Sequence, residues 1–332
     1  MSENEVRNLK EVLRFSLQHS DGMCETGMDP ETVAWLREAL SSASVDLTKE
    51  LRDSVDSLHQ ILESEDPQES KVRLLLDNIL SLTEDIDLAN DFFRIGGCNI
   101  LLRMLYKGPP WLRADCCQLV ANVTQNNPNA QSLCLQKNVL AKLLEMLPDE
   151  EDLRCLKKLL LAISCSTRGF LPGVKIFSDL RGFEAVSGVM FRLLDSKKYP
   201  DASSVRHVQD KAAFLIFCLV QEAAMIPGSA DNIRWLPDKL AHLLLQSPTP
   251  QEHLLGCLLI VLTGSSSIDA AVDVENSHGF SRTLSSPVLS TEVRAQFSSW
   301  LCAQDKCISS GGDSADFELR TYIGALRRLL ST

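Results

Sequence analysis

The chain has 332 residues, 45% hydrophobic, 23% charged and 6% aromatic, the make-up of a soluble globular protein with ample material for a core. Its net charge of −11 sits at the front: residues 1–70 hold 16 acidic against 6 basic side chains, and the rest is nearly balanced at 28 against 27. With no Lys/Arg cluster interleaved with aromatics, nucleic acid is excluded as a partner, and no apolar run is long enough to span a membrane.

The chain opens on an amphipathic stretch, "NEVRNLKEVLRFSLQHS", with apolar residues at Val6, Leu9, Val12, Leu13 and Leu17. It lacks the basic start and unbroken apolar run of a signal peptide. The 11 cysteines are odd in number, show no CxxC or zinc spacing, and lie mostly inside apolar runs, as Cys165, Cys218 and Cys257 do. That usage points to reduced packing residues and a cytoplasmic location. In "MDPETVAWLREAL", Asp29 reads as an N-cap and Pro30 as the first helical residue. Residues 47–63 offer a further helix. The expected divisions here are 1–28, an amphipathic segment, and 29–68, N-terminal capping helices.

From Lys71 a repeat takes over. "GGCNILLRML" at Gly96, "NVLAKLLEML" at Asn138, "GFEAVSGVMF" at Gly182 and a poorer "WLPDKLAHLL" at Trp235 mark one helix per repeat. A second ladder marks another at Asn122, Cys165, Cys218 and Ile260. Both ladders step by 42 to 44 residues except across "DSKKYPDASSVRH" (195–207), which reads as an insertion. That period without strand signals predicts an all-α fold, an armadillo-like α-solenoid of about four repeats over 69–264 with helical caps. Within the first repeat, Gly96-Gly97 is expected to cap one helix through a left-handed turn, and Arg113 to Gln125 to form the third helix. Third helices line the concave face of such a solenoid. Gln118 and Asn122 would therefore face the groove, with equivalents Leu161 and Cys165, Phe214 and Cys218, and Gly256 and Ile260. Arg113, Arg154, Lys158 and Lys211 would form polar rims. Residues 265–332 read as a Ser-rich loop followed by capping helices at 291–304 and Leu319 to Leu330.

Enzyme motifs are missing from the sequence: there is no Walker A, GxSxG or HExxH pattern, and the 6 histidines are scattered. The sequon at Asn122 is expected to be silent, Cys116-Cys117 to be packing residues with one thiol facing the core, and "PDEEDLR" (148–154) to start a helix rather than bind calcium. No cofactor or metal is expected.

Beside this, "MDPETVAWLREAL", "DIDLANDF" (85–92), "LVANVTQNNP" (119–128), "KLLLAISC" (158–165), "DKAAFL" (210–215) and "EHLLGCL" (252–258) occur in order. The set resembles the heat-shock-protein-70-binding protein 1 family, armadillo-type nucleotide-exchange factors of the 70-kDa heat-shock chaperone. The resemblance implies a monomeric co-chaperone whose concave face clamps one lobe of the chaperone's nucleotide-binding domain and speeds ADP release. It implies a contact surface at Asp87, Ala89 and Asn90, with Asn122, Arg154 and Lys211 at groove positions of successive repeats. It also assigns client release to the N-terminal segment around Leu9, Leu13, Phe15 and Leu17. The alternative is an armadillo scaffold that binds an extended peptide and has no exchange activity.

Overall fold

A computed structural model describes residues 31, 46–64, 67–226, 232–247, 251–265, 267–273, 289–310 and 317–331. The amphipathic segment with Leu9, Leu13, Phe15 and Leu17 and the Asp29-Pro30 helix start lie outside the described residues. The chain divides into two compact bodies, Met1–Asp53 and Ser54–Thr332. In the smaller, the described residues are Glu31 and 46–53, where α1 (Leu47–Glu63) begins. The span of α1 matches the helix expected over 47–63.

The larger body continues with α2 (Glu69–Leu82) and then a repeating triplet of helices. Repeat one is α3 (Ile86–Arg94), α4 (Gly97–Lys107) and α5 (Pro110–Thr124). Repeat two is α6 (Pro128–Gln136), α7 (Val139–Met146) and α8 (Leu153–Thr167). Repeat three is α9 (Leu171–Asp179), α10 (Gly182–Arg192) and α11 (Ala202–Ala224). Repeat four shows α12 (Leu236–Gln246) and α13 (Glu252–Thr263), and α14 (Ile268–Asp273), α15 (Thr291–Ser310) and α16 (Phe317–Ser331) follow. The third helices α2, α5, α8, α11 and α13 pack side by side in one row, and α16 ends that row. Among the described residues, the regular elements are all helices.

The turn from first to second helix recurs in each of the first three repeats. Gly96, Asn138 and Arg181 hold φ of 92°, 59° and 59°, the left-handed region that reverses the chain at a helix end. The third copy falls at Arg181, one residue before the glycine from which the sequence pattern was counted. Behind the turn the packing alternates. A Cβ at Gly97 would lie 2.4 Å from the Phe92 ring, and one at Gly182 would lie 2.4 Å from the Phe177 ring. Repeat two has Cys134 and Val139 at these places, both buried. Volume has moved from the first helix to the second while the core stays filled, as close packing demands.

Several expectations change. α5 starts at Pro110 rather than Arg113, because a proline in the first turn needs no hydrogen-bonded N–H. The presumed insertion is a loop only as far as Asp201. The Asp201 carboxylate accepts from the amides of Ser203 and Ser204, both at 3.2 Å, and Val205 and Val208 are buried. Residues 202–207 therefore extend α11 to 23 residues against 15 in α5 and α8. α15 runs past 304 to Ser310. Asp152 caps α8 by accepting from the Cys155 amide at 2.8 Å, so the acidic run starts a helix as expected. Cys116 and Cys117 are both buried, not one alone: Cys116 donates to the Leu101 carbonyl at 3.4 Å, while Cys117 lies against Cys155 of the next repeat.

Candidate partner-binding face

On the third helices of repeats one to three one stripe escapes burial. In α5 it runs Trp111, Asp115, Gln118, Asn122, and in α8 Arg154, Lys158, Leu161, Cys165. These spacings follow the 3.6-residue turn. Across the stripes runs a hydrogen-bonded relay. Lys158 Nζ donates to Gln118 Oε1. Gln118 Nε2 donates to Asn122 Oδ1 at 2.7 Å, and Asn122 Nδ2 donates to the Leu80 carbonyl of α2 at 3.4 Å. Asn122 is thus a rung between helices as well as a residue on the face. Nearby, Arg73 pairs with Glu69 at 2.8 Å, reaches Asp115 at 3.7 Å, and lies 4.0 Å above the Trp111 ring. Burial raises the Asp115 pKa; Arg73 opposes it and Asp77 adds to it.

Repeat three presents an aromatic ring. Phe214 is 38% exposed. The Arg168 guanidinium sits 4.8 Å from its centroid and the His253 ring 5.3 Å from it. Phe217 stacks on His253 at 5.5 Å, and burial lowers the His253 pKa despite Asp210 and Glu318. Cys165 and Cys218 are half-buried at the equivalent rungs, and burial raises both thiol pKa values against the field of Arg168. Beyond this the face closes. Gly256 and Ile260 are buried, because Phe217 lies 2.8 Å and Ile268 3.4 Å from where a Cβ on Gly256 would stand. The face therefore extends over repeats one to three and not onto the fourth rung.

The other predicted residues are placed unevenly. Asp87 is exposed in the first turn of α3, beneath the Asp85 cap, which accepts from its amide at 2.8 Å. Ala89 is 2% exposed and belongs to the core, so it offers no contact surface. Asn90 Oδ1 accepts from Asn127 at 3.1 Å. Arg113 leaves the rim altogether: its Nε donates to Glu150 Oε2 at 2.9 Å and its Nη1 to the Gly108 carbonyl at 2.9 Å. Burial works against the Arg113 charge, but the Glu150 hydrogen bond and field outweigh it, and the pKa is raised. Arg154 is exposed and Lys211 half-buried. Trp111 and Arg168 were missed by sequence reasoning. The stripe read back from Asn122 reaches Trp111, but a helix begun at Arg113 leaves it out. Among the described residues, no cluster of His, Cys, Asp and Glu can hold a metal ion, and no helix is long and apolar enough to cross a membrane. A cleft of about 760 Å³ lies between α7 and α10, lined by Leu144, Leu180, Gly188 and Val189, away from the predicted residues.

The profile of the SIL1/FES1/HPBP1 C-terminal domain matches residues 88–213, from α3 through repeats one and two into α11. Over that stretch the chain resembles the SIL1/FES1/HPBP1 family. It is similar to Hsp70-binding protein 1 of Rattus norvegicus, 26% identical over 272 residues, 77% of this chain and 72% of that protein. It is also similar to two proteins named Hsp70 nucleotide exchange factor FES1. The one from Candida albicans is 30% identical over 31% of this chain and 37% of its own length. The one from Yarrowia lipolytica is 28% identical over 54% and 62%. Among solved structures, a designed armadillo repeat protein superposes with a TM-score of 0.51 at 15% identity, over 84% of this chain and 99% of its own. SYS-1 does so with 0.51 at 12%, over 86% and 50%. These likenesses show the armadillo-like fold.

Proposed function

We propose that this chain is a nucleotide-exchange factor of the 70-kDa heat-shock chaperone, binding the chaperone's nucleotide-binding domain through the inner face of repeats one to three. The observation that carries the reading is the likeness to Hsp70-binding protein 1 along 272 residues, a span far longer than one repeat. The chain acts by binding, without covalent chemistry of its own. A row of packed helices presents a broad preformed surface, so little ordering entropy is lost on association. Exchange follows only if that surface prefers the chaperone with its nucleotide cleft open, since equal affinity for both states shifts nothing. The N-terminal segment with Leu9, Leu13, Phe15 and Leu17 is the part we assign to client release. The peptide-scaffold alternative wants a ladder of asparagines along the third helices, whereas the rungs after Asn122 are Cys165, Cys218 and Ile260.

Linkage supplies the test. A partner that expels ADP must itself be weakened by ADP to the same degree. Titration calorimetry against the nucleotide-binding domain should show a Kd at least about tenfold weaker with saturating ADP than without nucleotide. Equal Kd values in the two conditions would contradict the reading.

A further inference from the structure

Charge is sorted along the inner row. α8 and its C-cap carry Arg154, Lys157, Lys158 and Arg168 and no carboxylate. On the neighbouring α2 and α5 lie Asp77 and Asp115, where Arg73 is held by Glu69 and where Lys158 and Arg154 also act on Asp115. Because the chain after residue 70 is almost neutral, this sorting is not a reflection of composition. Carboxylates near α8 and α11 are few and shared: Asp152 pairs with Arg154 at 4.0 Å, Asp210 pairs with Arg206 at 3.8 Å, and Glu222 accepts from the Gly169 amide at 2.9 Å and feels the field of Arg168. Among the described residues, Lys157, Arg168 and Lys211 form no ion pair; Arg168 lies against Phe214 instead. Arg168 and Lys211 both act on the Cys165 thiol, so cations from two repeats converge on one place.

We propose that Arg168 and Lys211 beside the exposed ring of Phe214, with Lys157 and Lys158 earlier on α8, are the anchor of the partner contact, and that they receive an acidic surface of a folded protein with an apolar side chain among its carboxylates. The proposal rests on the exchange-factor reading for the identity of that protein. Cations held outside direct ion pairs supply attraction and register on approach. The ring, already braced by Arg168 and His253, supplies apolar contact without having to be ordered on binding; aromatic residues flanked by arginine are the usual centres of such interfaces. The carboxylates at Asp77 and Asp115 repel a phosphate backbone and fix which way the acidic surface lies.

The test uses the full-length chain and the chaperone's nucleotide-binding domain, nucleotide-free, with Kd measured from low to physiological salt. Wild type should weaken as salt rises. Lys157→Glu with Arg168→Glu should weaken binding about tenfold or more at low salt and flatten the salt dependence. Phe214→Ala should weaken it by a similar factor at every salt concentration. Lys107→Glu with Lys137→Glu, exposed positions outside the α8 and α11 stripes, changes net charge equally and should leave Kd unaltered. Wild-type affinity in the Lys157/Arg168 variant, or equal loss in the Lys107/Lys137 variant, would overturn the anchor. So would capture of a short RNA duplex by wild type that the Lys157/Arg168 variant loses. No binding by wild type would instead overturn the partner assignment, a separate failure.

Discussion

At the level of single residues, the arginines decide what is structure and what is surface. Arg113 and Arg154 look alike in the sequence, each near the start of a third helix, yet Arg113 faces a Glu150 side chain only 3% exposed, while Arg154 stands in water. Removing one partner of a buried pair leaves the other charge uncompensated, which costs roughly 3–5 kcal/mol; exposed substitutions stay within about 0.5 kcal/mol. Arg113→Ala should lower the thermal midpoint by several degrees and Arg154→Ala should not, as measured by circular dichroism. Ala89→Arg belongs with the first: an arginine in that core position should unfold repeat one, so it reports on folding rather than contact. Asp87→Lys, at an exposed site, is the substitution that probes a contact there. Glu150 lies 37 residues beyond Arg113, so their pairing across repeats left no trace in local spacing.

At the level of elements, the turns and the cap have distinct chemistry. Gly96 sits at φ 92° with open space where a Cβ would go, so Gly96→Ala should cost about 1 kcal/mol from backbone strain alone. A loss above about 3 kcal/mol would show that the site is crowded as well. Where α13 meets α16, burial and a hydrogen bond with Glu318 raise the Glu252 pKa. A raised carboxyl pKa means the folded protein holds the proton more tightly. The associated stability is full below the unfolded value and is lost as pH rises through the folded one. Glu252→Gln, which fixes the neutral form, should therefore raise the melting temperature by about 1–3 °C at pH 7.5 and leave it unchanged at pH 4. A gain of equal size at both pH values would contradict that origin. The turns were legible in the sequence because Gly96, Asn138 and the Arg181 region recur at a fixed period. The start of α11 was not. Its Ser-rich composition reads as loop, and only the Asp201 cap and the buried Val205 and Val208 show that it is helix.

For the whole molecule, repeat period and helix class were readable, because each repeat has to bury the same face against its neighbour and so keeps the same apolar spacing. The extent of the inner face was not readable. Ile260 keeps the rung spacing, but Phe217 of α11 and Ile268 of α14 crowd α13 at Gly256, and covering by another helix has no local signature. The same holds for the charge sorting, which emerges only when α2, α5, α8 and α11 lie side by side. Exchange activity is the claim these features serve. It is measured most directly by stopped-flow release of a fluorescent ADP analogue from the 70-kDa chaperone, with excess unlabelled nucleotide and increasing amounts of this protein. The release rate should rise about tenfold or more and saturate. A rate that stays at the chaperone's own value at saturating protein would contradict the account.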